Sequence, residues 1–306
     1  VAPSNANVLY AGSGEGLQRP DLSVGDGKYK TTAAGVTWRH LGLRDAQQIA
    51  AIAVDPGDAN RLFVAALGHP YGPNAERGIY LSTDGGESFR PVLRKDENVG
   101  GNDVDIDPAN PQVVYANLWE SRQGPWENAA WSGTGGGLFK SIDGGAAWKQ
   151  LANGLPEGVN QVNLSIAPSN PQRLYATVAS TGVGFYRSDD AGESWTRITT
   201  DTRPVGRIGG GDLPVPLVDP KNPDVVIMAS TVSWKSVDGG RTWAPFKGAP
   251  GGEDYQGGWI NPNDPNIVLL VADQGAVITL NGGASWSAWY NQSTAQLYHV
   301  AADNAF

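Results

Sequence analysis

The sequence predicts an all-β fold, a single six-bladed β-propeller. Three observations carry that prediction: a turn motif that recurs six times, a spacing that suits one four-stranded blade, and chain ends that read as two parts of one blade. The motif is Ser or Thr, any residue, Asp, any residue, Gly, two residues, then an aromatic. Clear copies are Ser82-Asp84-Gly86-Phe89, Ser141-Asp143-Gly145-Trp148, Ser188-Asp190-Gly192-Trp195 and Ser236-Asp238-Gly240-Trp243. Two copies are altered: Thr31-Ala33-Gly35-Trp38 has lost the Asp, and Thr279-Asn281-Gly283-Trp286 carries Asn in its place. The motif glycines stand at 35, 86, 145, 192, 240 and 283.

The motif residues have a structural reading. An Asp at a hairpin accepts hydrogen bonds from main-chain N–H groups ahead of it, and the Gly supplies a positive φ. The aromatic three residues later is expected to pack between neighbouring blades. Asp84, Asp143, Asp190, Asp238 and Asn281 are therefore structural, with no catalytic role. A second turn precedes each box, at Asp55-Pro56, Asp107-Pro108, Ala167-Pro168, Asp219-Pro220 and Asn261-Pro262. Between these signals the β-branched and aromatic runs 49–54, 61–66, 78–82 and 88–93 read as the four strands of one blade. Gly257 and Gly258, ahead of Trp259, are expected on an inner strand where close approach favours small residues.

The N-terminal stretch 3–10 matches a Pro turn plus a second strand, so the first blade lacks its own first strand. The segment 297–304 has the form of a first strand and is expected to pair in that blade, closing the ring without an open edge. The expected blades are 1–40 plus 297–306, 41–93, 94–152, 153–200, 201–247 and 248–296, one domain over residues 1–306. The chain opens at Val1 rather than Met, as expected of a processed polypeptide.

Composition narrows the function classes. A net charge of -9 argues against nucleic acid, whose binding rests on Lys and Arg. With no cysteine there are no disulfides and no thiolate chemistry. No run of about eighteen apolar residues predicts a spanning helix, and the expected location is periplasmic or extracellular, peripheral to a membrane at most. His40, His69 and His299 are the only histidines and show no metal-ligand spacing. No metal and no cofactor is expected.

The boxes, together with Tyr10-Ala11-Gly12-Ser13-Gly14-Glu15-Gly16, Ala66-Leu67-Gly68-His69-Pro70 and Asp273-Gln274-Gly275-Ala276, resemble the bacterial sortilin-like Asp-box proteins often labelled BNR-repeat glycosyl hydrolases. The likeness covers nearly the whole chain, although members of that group often continue well past 297–300. The same repeats occur in sialidases, xyloglucanase-type hydrolases, sortilin-type receptors and a photosystem II assembly factor, so the resemblance implies fold and leaves function to the site. It also implies that boxes lie at the blade periphery and that ligands meet the opposite face, where the loops between second and third strands stand.

Three of those loops are long, at 13–27, 68–78 and 120–137, which predicts a face taller on one side. The rim residues Arg19, His69, Tyr71, Arg77, Trp119, Arg122, Trp126 and Trp131 are the candidate binding set, because Trp and Arg are enriched where proteins bind proteins. A glycosidase needs two carboxylates facing across a cleft. Glu15, Glu120, Asp254 and Asp273 fall on predicted loops of that face. Two readings follow. The first is a non-catalytic scaffold that docks protein partners, as an extrinsic subunit of a larger assembly such as a membrane complex. The alternative, ranked second, is a glycoside hydrolase or carbohydrate-binding propeller acting through paired carboxylates.

Overall fold

The computed structural model describes residues 1–16, 22–124, 131–208, 212–248, 254–272 and 274–288. They form six antiparallel sheets in chain order, the blades of a propeller. The first blade holds β1 (Leu9–Gly12), β2 (Lys28–Thr31) and β3 (Arg39–His40). The second holds β4 (Ile49–Val54), β5 (Leu62–Ala66), β6 (Gly78–Ser82) and β7 (Arg90–Leu93), within two residues of the runs expected from sequence. In the third, β8 (Val99–Ile106), β9 (Val114–Arg122), β11 (Gly137–Ser141) and β12 (Lys149–Leu151) make the blade, and the short β10 (Trp131–Ser132) pairs with the far end of β9. The fourth runs β13 (Val162–Ile166), β14 (Leu174–Ala179), β15 (Val183–Ser188) and β16 (Thr196–Arg197), and the fifth β17 (Val215–Val218), β18 (Val226–Ala229), β19 (Ser233–Ser236) and β20 (Ala244–Lys247). The sixth has β21 (Tyr255–Ile260), β22 (Val268–Ala272) and β23 (Gly275–Thr279).

Blades form because their central strands are apolar on both faces. Leu62–Ala66 and Leu174–Ala179 are buried at every position, as expected when each face of a sheet packs on a neighbour. Five apolar clusters result, one between each consecutive pair of blades from first and second through fifth and sixth. The motif aromatics enter the seam with the preceding blade. Trp243 meets Phe185 edge-on at 5.3 Å, and Trp286 meets Phe246 at 5.3 Å.

The six turns share one conformation. The motif Gly has φ between 85° and 95° in every copy, and the residue before it is also left-handed. That preceding residue donates its N–H to the turn between the first and second strands of its own blade, as in Gly85 to Asn60 O at 2.8 Å and Gly144 to Gln112 O at 2.9 Å. Gly258 is small for the reason expected: a Cβ there would strike the Leu269 carbonyl and Leu217 of the fifth blade. The segment 297–304 lies outside the described residues. No helix among the described residues is long and apolar enough to cross a membrane.

Candidate functional site on the loop face

The stretches 13–16 and 22–27 and the connections 41–48, 67–77 and 94–98 lie on the face opposite the Asp turns. Arg77 holds them together. Its side chain is fully buried, and its guanidinium donates to Leu67 O (2.7 Å), His69 O (2.5 Å), Gly72 O (2.8 Å), Asn98 O (3.3 Å) and Asn74 Oδ1 (3.1 Å). All five acceptors are neutral carbonyls, so burial, followed by the nearby Arg122 charge, lowers its pKa to about 10. It stays a cation at neutral pH. Arg77 was expected on the binding rim; it lies instead beneath it, because one planar fork satisfies the carbonyls of a loop that has no strand to pair with.

The surface that this wall carries is polar. His69 Nε2 lies 2.8 Å from Asp45 Oδ1, and Asn74 Nδ2 donates to the Asp45 carbonyl at 2.7 Å. Asp45 sits in a single 3-10 turn, Arg44–Ala46, entered through left-handed Leu43. Beside it Arg44 reaches Asp26 at 3.8 Å. The Asp26 carboxylate accepts the Tyr29 hydroxyl at 2.8 and 2.9 Å and the Ser13 hydroxyl at 3.3 Å. The Tyr29 hydrogen bond, ahead of the charges of His40 and Arg44, holds Asp26 below the usual carboxylate range. His40 Nε2 is 2.6 Å from the Asp26 carbonyl and stacks edge-on against Tyr29 at 5.1 Å. Asp26, Arg44, Asp45 and His69 thus make one exposed strip across the first two blades, with Tyr71 at 44% exposure nearby. Sequence reasoning missed Asp26, Arg44 and Asp45. The Gly25-Asp26-Gly27 turn with Tyr29 following was the available signal for the first of them.

The third blade continues the face. Trp119 and Glu120 were expected on a loop but lie in β9, which runs on to Arg122 against β10. Trp119 is therefore buried, its indole N–H on Ser132 Oγ at 3.0 Å, and offers no rim platform. Glu120 Oε2 accepts the Gly135 N–H at 2.8 Å, and Lys95 Nζ donates to the Gly135 carbonyl at 3.1 Å. Arg122 donates to Asn98 Oδ1, which ties β9 to the Arg77 wall. Beyond Gly135 a groove of about 250 Å³ opens between Gly136 and the connection carrying Leu155, Glu157 and Val159. Trp131 opens β10, paired with Arg122.

The described carboxylates named from sequence stand in different blades. Glu15 Oε1 accepts the Ser23 N–H at 3.2 Å in the first blade, and Asp254, left-handed at φ 57°, leads into the sixth. Among the described residues no hydrogen bond or ion pair joins Glu15, Glu120 and Asp254 to one another. Asp273, Arg19 and Trp126 lie outside the described residues.

A second carboxylate pair was not anticipated. Asp103 and Asp105, on one face of β8, sit against Tyr115, Asn117 and Leu164 between the third and fourth blades. Asp103 accepts the Leu164 and Val104 N–H groups at 2.9 and 3.0 Å, yet burial pushes it up to about 6. Asp105 is raised further by burial and by the Asp103 charge, and its Oδ2 is buried without a hydrogen-bond partner. The packing leaves no room for a sugar there, so the pair is a feature of the seam. Among the described residues no group of His, Asp and Glu is arranged to hold a metal.

No family model matches the chain. A xyloglucanase of a Paenibacillus species is 35% identical over 138 residues, covering 42% of this chain and 12% of that protein. A xyloglucanase of Hypocrea jecorina is 26% identical over 280 residues, covering 80% of this chain and 32% of that protein. Among solved structures, the Niastella koreensis GH74 enzyme superposes with a TM-score of 0.66 at 20% identity over 94% of this chain and 44% of its own. An ancestral GH74 enzyme does so with a TM-score of 0.67 at 21% identity, over 91% and 35%. The chain spans about a third or less of the curated relatives it matches. These likenesses correct the first functional reading, a non-catalytic scaffold that docks protein partners: the two curated relatives are named xyloglucanases.

Proposed function

We propose that this propeller is part of an extracellular glycoside hydrolase and that its loop face contacts a xyloglucan-type polysaccharide. The observation that carries the reading is the exposed strip from Asp26 to His69, set on the face where propellers receive ligands, with the groove beyond Gly135 as a separate concavity of the third blade. The names of the xyloglucanases that share the propeller sequence support it. This reading keeps the sortilin-like, Asp-box resemblance for the repeats and takes the hydrolase label for function.

Chemically, Asp26 is the carboxylate held ionised by its neighbours, the state that a base or nucleophile requires. The second carboxylate is one of Glu15, Glu120, Asp254 and Asp273. His69 and Tyr71 orient hydroxyl groups along the strip and Arg122 does so on the third blade, while Trp126 and Trp131 are kept as the candidate stacking residues. Incubating the chain with xyloglucan and assaying both reducing ends and retention on a xyloglucan-containing gel tests the proposal. Turnover abolished by Asp26→Asn supports hydrolysis by this chain, retention without turnover supports contact alone, and absence of both overturns the reading.

A further inference from the structure

In five of the six motif turns the side chain at the Asp position accepts the N–H of the residue four further on, and in four of them that side chain is a carboxylate. Three of the carboxylates also take a hydroxyl on their second oxygen: Ser88 Oγ donates to Asp84 Oδ2 at 2.5 Å, Ser194 Oγ to Asp190 Oδ2 at 2.5 Å and Thr242 Oγ1 to Asp238 Oδ2 at 2.6 Å. The sixth blade differs in one atom. Asn281 Oδ1 accepts the Thr279 hydroxyl at 3.0 Å and the Ser285 N–H at 2.9 Å, as a carboxylate oxygen does elsewhere, but Nδ2 stands in the place of the second oxygen and donates to Ser285 Oγ at 2.9 Å. Exchanging that NH2 for an oxygen and turning the Ser285 hydroxyl round would give the arrangement of the other blades. The exchange also suits the charges already present. Asp264, two residues before the Asn266 carbonyl that holds this turn, has its counterpart in Asp58 of the second blade, which carries it together with Asp84.

Asn281 is followed by Gly282, and Asn-Gly is the pair from which a side-chain amide is most easily lost, since glycine has no Cβ to keep its nitrogen from the Asn carbonyl carbon. Asn281 is exposed. Gly282 is left-handed at φ 68° and its N–H is held by Asn266 O at 2.9 Å, so its nitrogen is released when the turn opens. The chain's other Asn-Gly pair, Asn153-Gly154, lies in a setting of the opposite kind. Asn153 Nδ2 donates to Glu193 O at 3.2 Å, and a carboxylate there would face a carbonyl oxygen.

We propose that Asn281 is a self-modification site, at which loss of the amide converts the sixth turn to the carboxylate form of its neighbours. With the turn open, the Gly282 nitrogen gives up its proton and bonds to Asn281 Cγ, and the side-chain NH2 leaves as ammonia, which closes a five-membered succinimide. Water then cleaves the new Cγ–N bond and leaves an Asp with an unbroken main chain; the net change is amide plus water to carboxylate plus ammonium. Cleavage at the main-chain carbonyl would instead give isoaspartate, whose extra backbone carbon displaces Gly283 N from Thr279 Oγ1, the 3.0 Å contact that closes the turn. Charge-assisted bonds from Thr279 and Ser285 hold the carboxylate product more firmly than the amide, so the converted turn reopens less readily. The inference is independent of the carbohydrate reading, since the motif turns lie on the opposite face.

The full chain is kept folded in mildly alkaline buffer, and position 281 is followed by peptide mapping with fragmentation that separates Asp from isoaspartate. Asp is expected to accumulate there, several-fold more slowly in Gly282→Ala. That variant can fold, because the fourth blade carries Ala191 at the same place, left-handed at φ 56° and with the same backbone bond, to Gln172 O at 2.8 Å. Asn281→Asp is expected to raise the thermal midpoint at neutral pH and Asn153→Asp to lower it. The proposal is overturned if the folded chain keeps its amide at 281 while the chain in denaturant loses it, or if Gly282→Ala converts as fast. It is equally overturned if isoaspartate is the main product in the folded chain, or if Asn281→Asp melts no higher than the unmodified protein.

Discussion

Ser82 Oγ donates to Asp84 Oδ1 at 2.8 Å, and the same contact recurs between Ser141 and Asp143, Ser188 and Asp190, Ser236 and Asp238, and Thr279 and Asn281 at 2.7 to 3.0 Å. Each hydroxyl also accepts the N–H of the motif Gly, 2.7 Å from Gly86 in the second blade. The turn is therefore closed by a relay from carboxylate through hydroxyl to backbone. In the first blade Thr31 Oγ1 still accepts from Ala33 and Gly35, at 3.0 and 3.2 Å, without a carboxylate behind it.

Asp84→Ala is expected to lower the thermal midpoint at neutral pH and to have little effect in acid. The Ser88 hydroxyl and backbone, then Ser82, hold the Asp84 carboxyl below its usual range. A depressed folded pKa contributes stability above the unfolded value near ~3.9, lost as pH falls through the folded pKa. Thermal melts of both proteins from pH 7 to pH 2 check this; a deficit that persists undiminished in acid contradicts it.

Ala191→Gly is expected to stabilise. Ala191 has φ 56° at a place where Gly85, Gly144, Gly239 and Gly282 have φ of 68° to 73°. Left-handed Ala costs ~1–2 kcal/mol, against ~0.4–1 kcal/mol for the extra freedom Gly gains in the unfolded chain. Denaturant titration should register a gain of roughly 0.5–1 kcal/mol.

Lys28 occupies the place against the motif Gly that Phe63, Phe185 and Phe246 take at other seams. Its ammonium lies over Phe89 and Tyr10 at 4.4 and 4.5 Å, without a hydrogen-bond partner. Burial, then the Lys30 charge, lowers its pKa to about 7. The unfolded chain binds the extra proton between pH 7 and 10.5, so this residue makes stability rise with pH across that window. Lys28→Met is expected to flatten the rise and to stabilise near pH 6 by ~1–3 kcal/mol, the cost of an unpaired buried polar group.

Asp105→Asn should stabilise at neutral pH and do little near pH 4. Its folded pKa is raised by burial and by Asp103, so the protonated carboxyl is favoured at low pH and that advantage is lost as pH rises through the folded value. Parallel melts at pH 4 and pH 8 measure the difference.

The fold was legible because its signals are local. Each Ser-x-Asp-x-Gly turn closes on itself within five residues, and the runs between turns are strands whatever their neighbours do. The site was legible only where one loop carried it. Arg77 looked like a rim cation because its partners are backbone carbonyls of Leu67, His69, Gly72 and Asn98, which leave no trace in sequence. Trp119 looked like a loop residue because nothing local says that β9 outlasts its blade. Asp26 and Asp45 were passed over because their partners, Arg44 and His69, come from other connections that meet only in the fold.

The central claim is that the loop face of the first three blades contacts polysaccharide, and calorimetric titration of the protein with xyloglucan oligosaccharides tests it most directly. Saturable binding is expected, weakened about tenfold, roughly 1.4 kcal/mol, by Tyr71→Ala and weakened by Asp45→Asn without unfolding of the chain. No binding, or binding indifferent to both substitutions in folded protein, would contradict it.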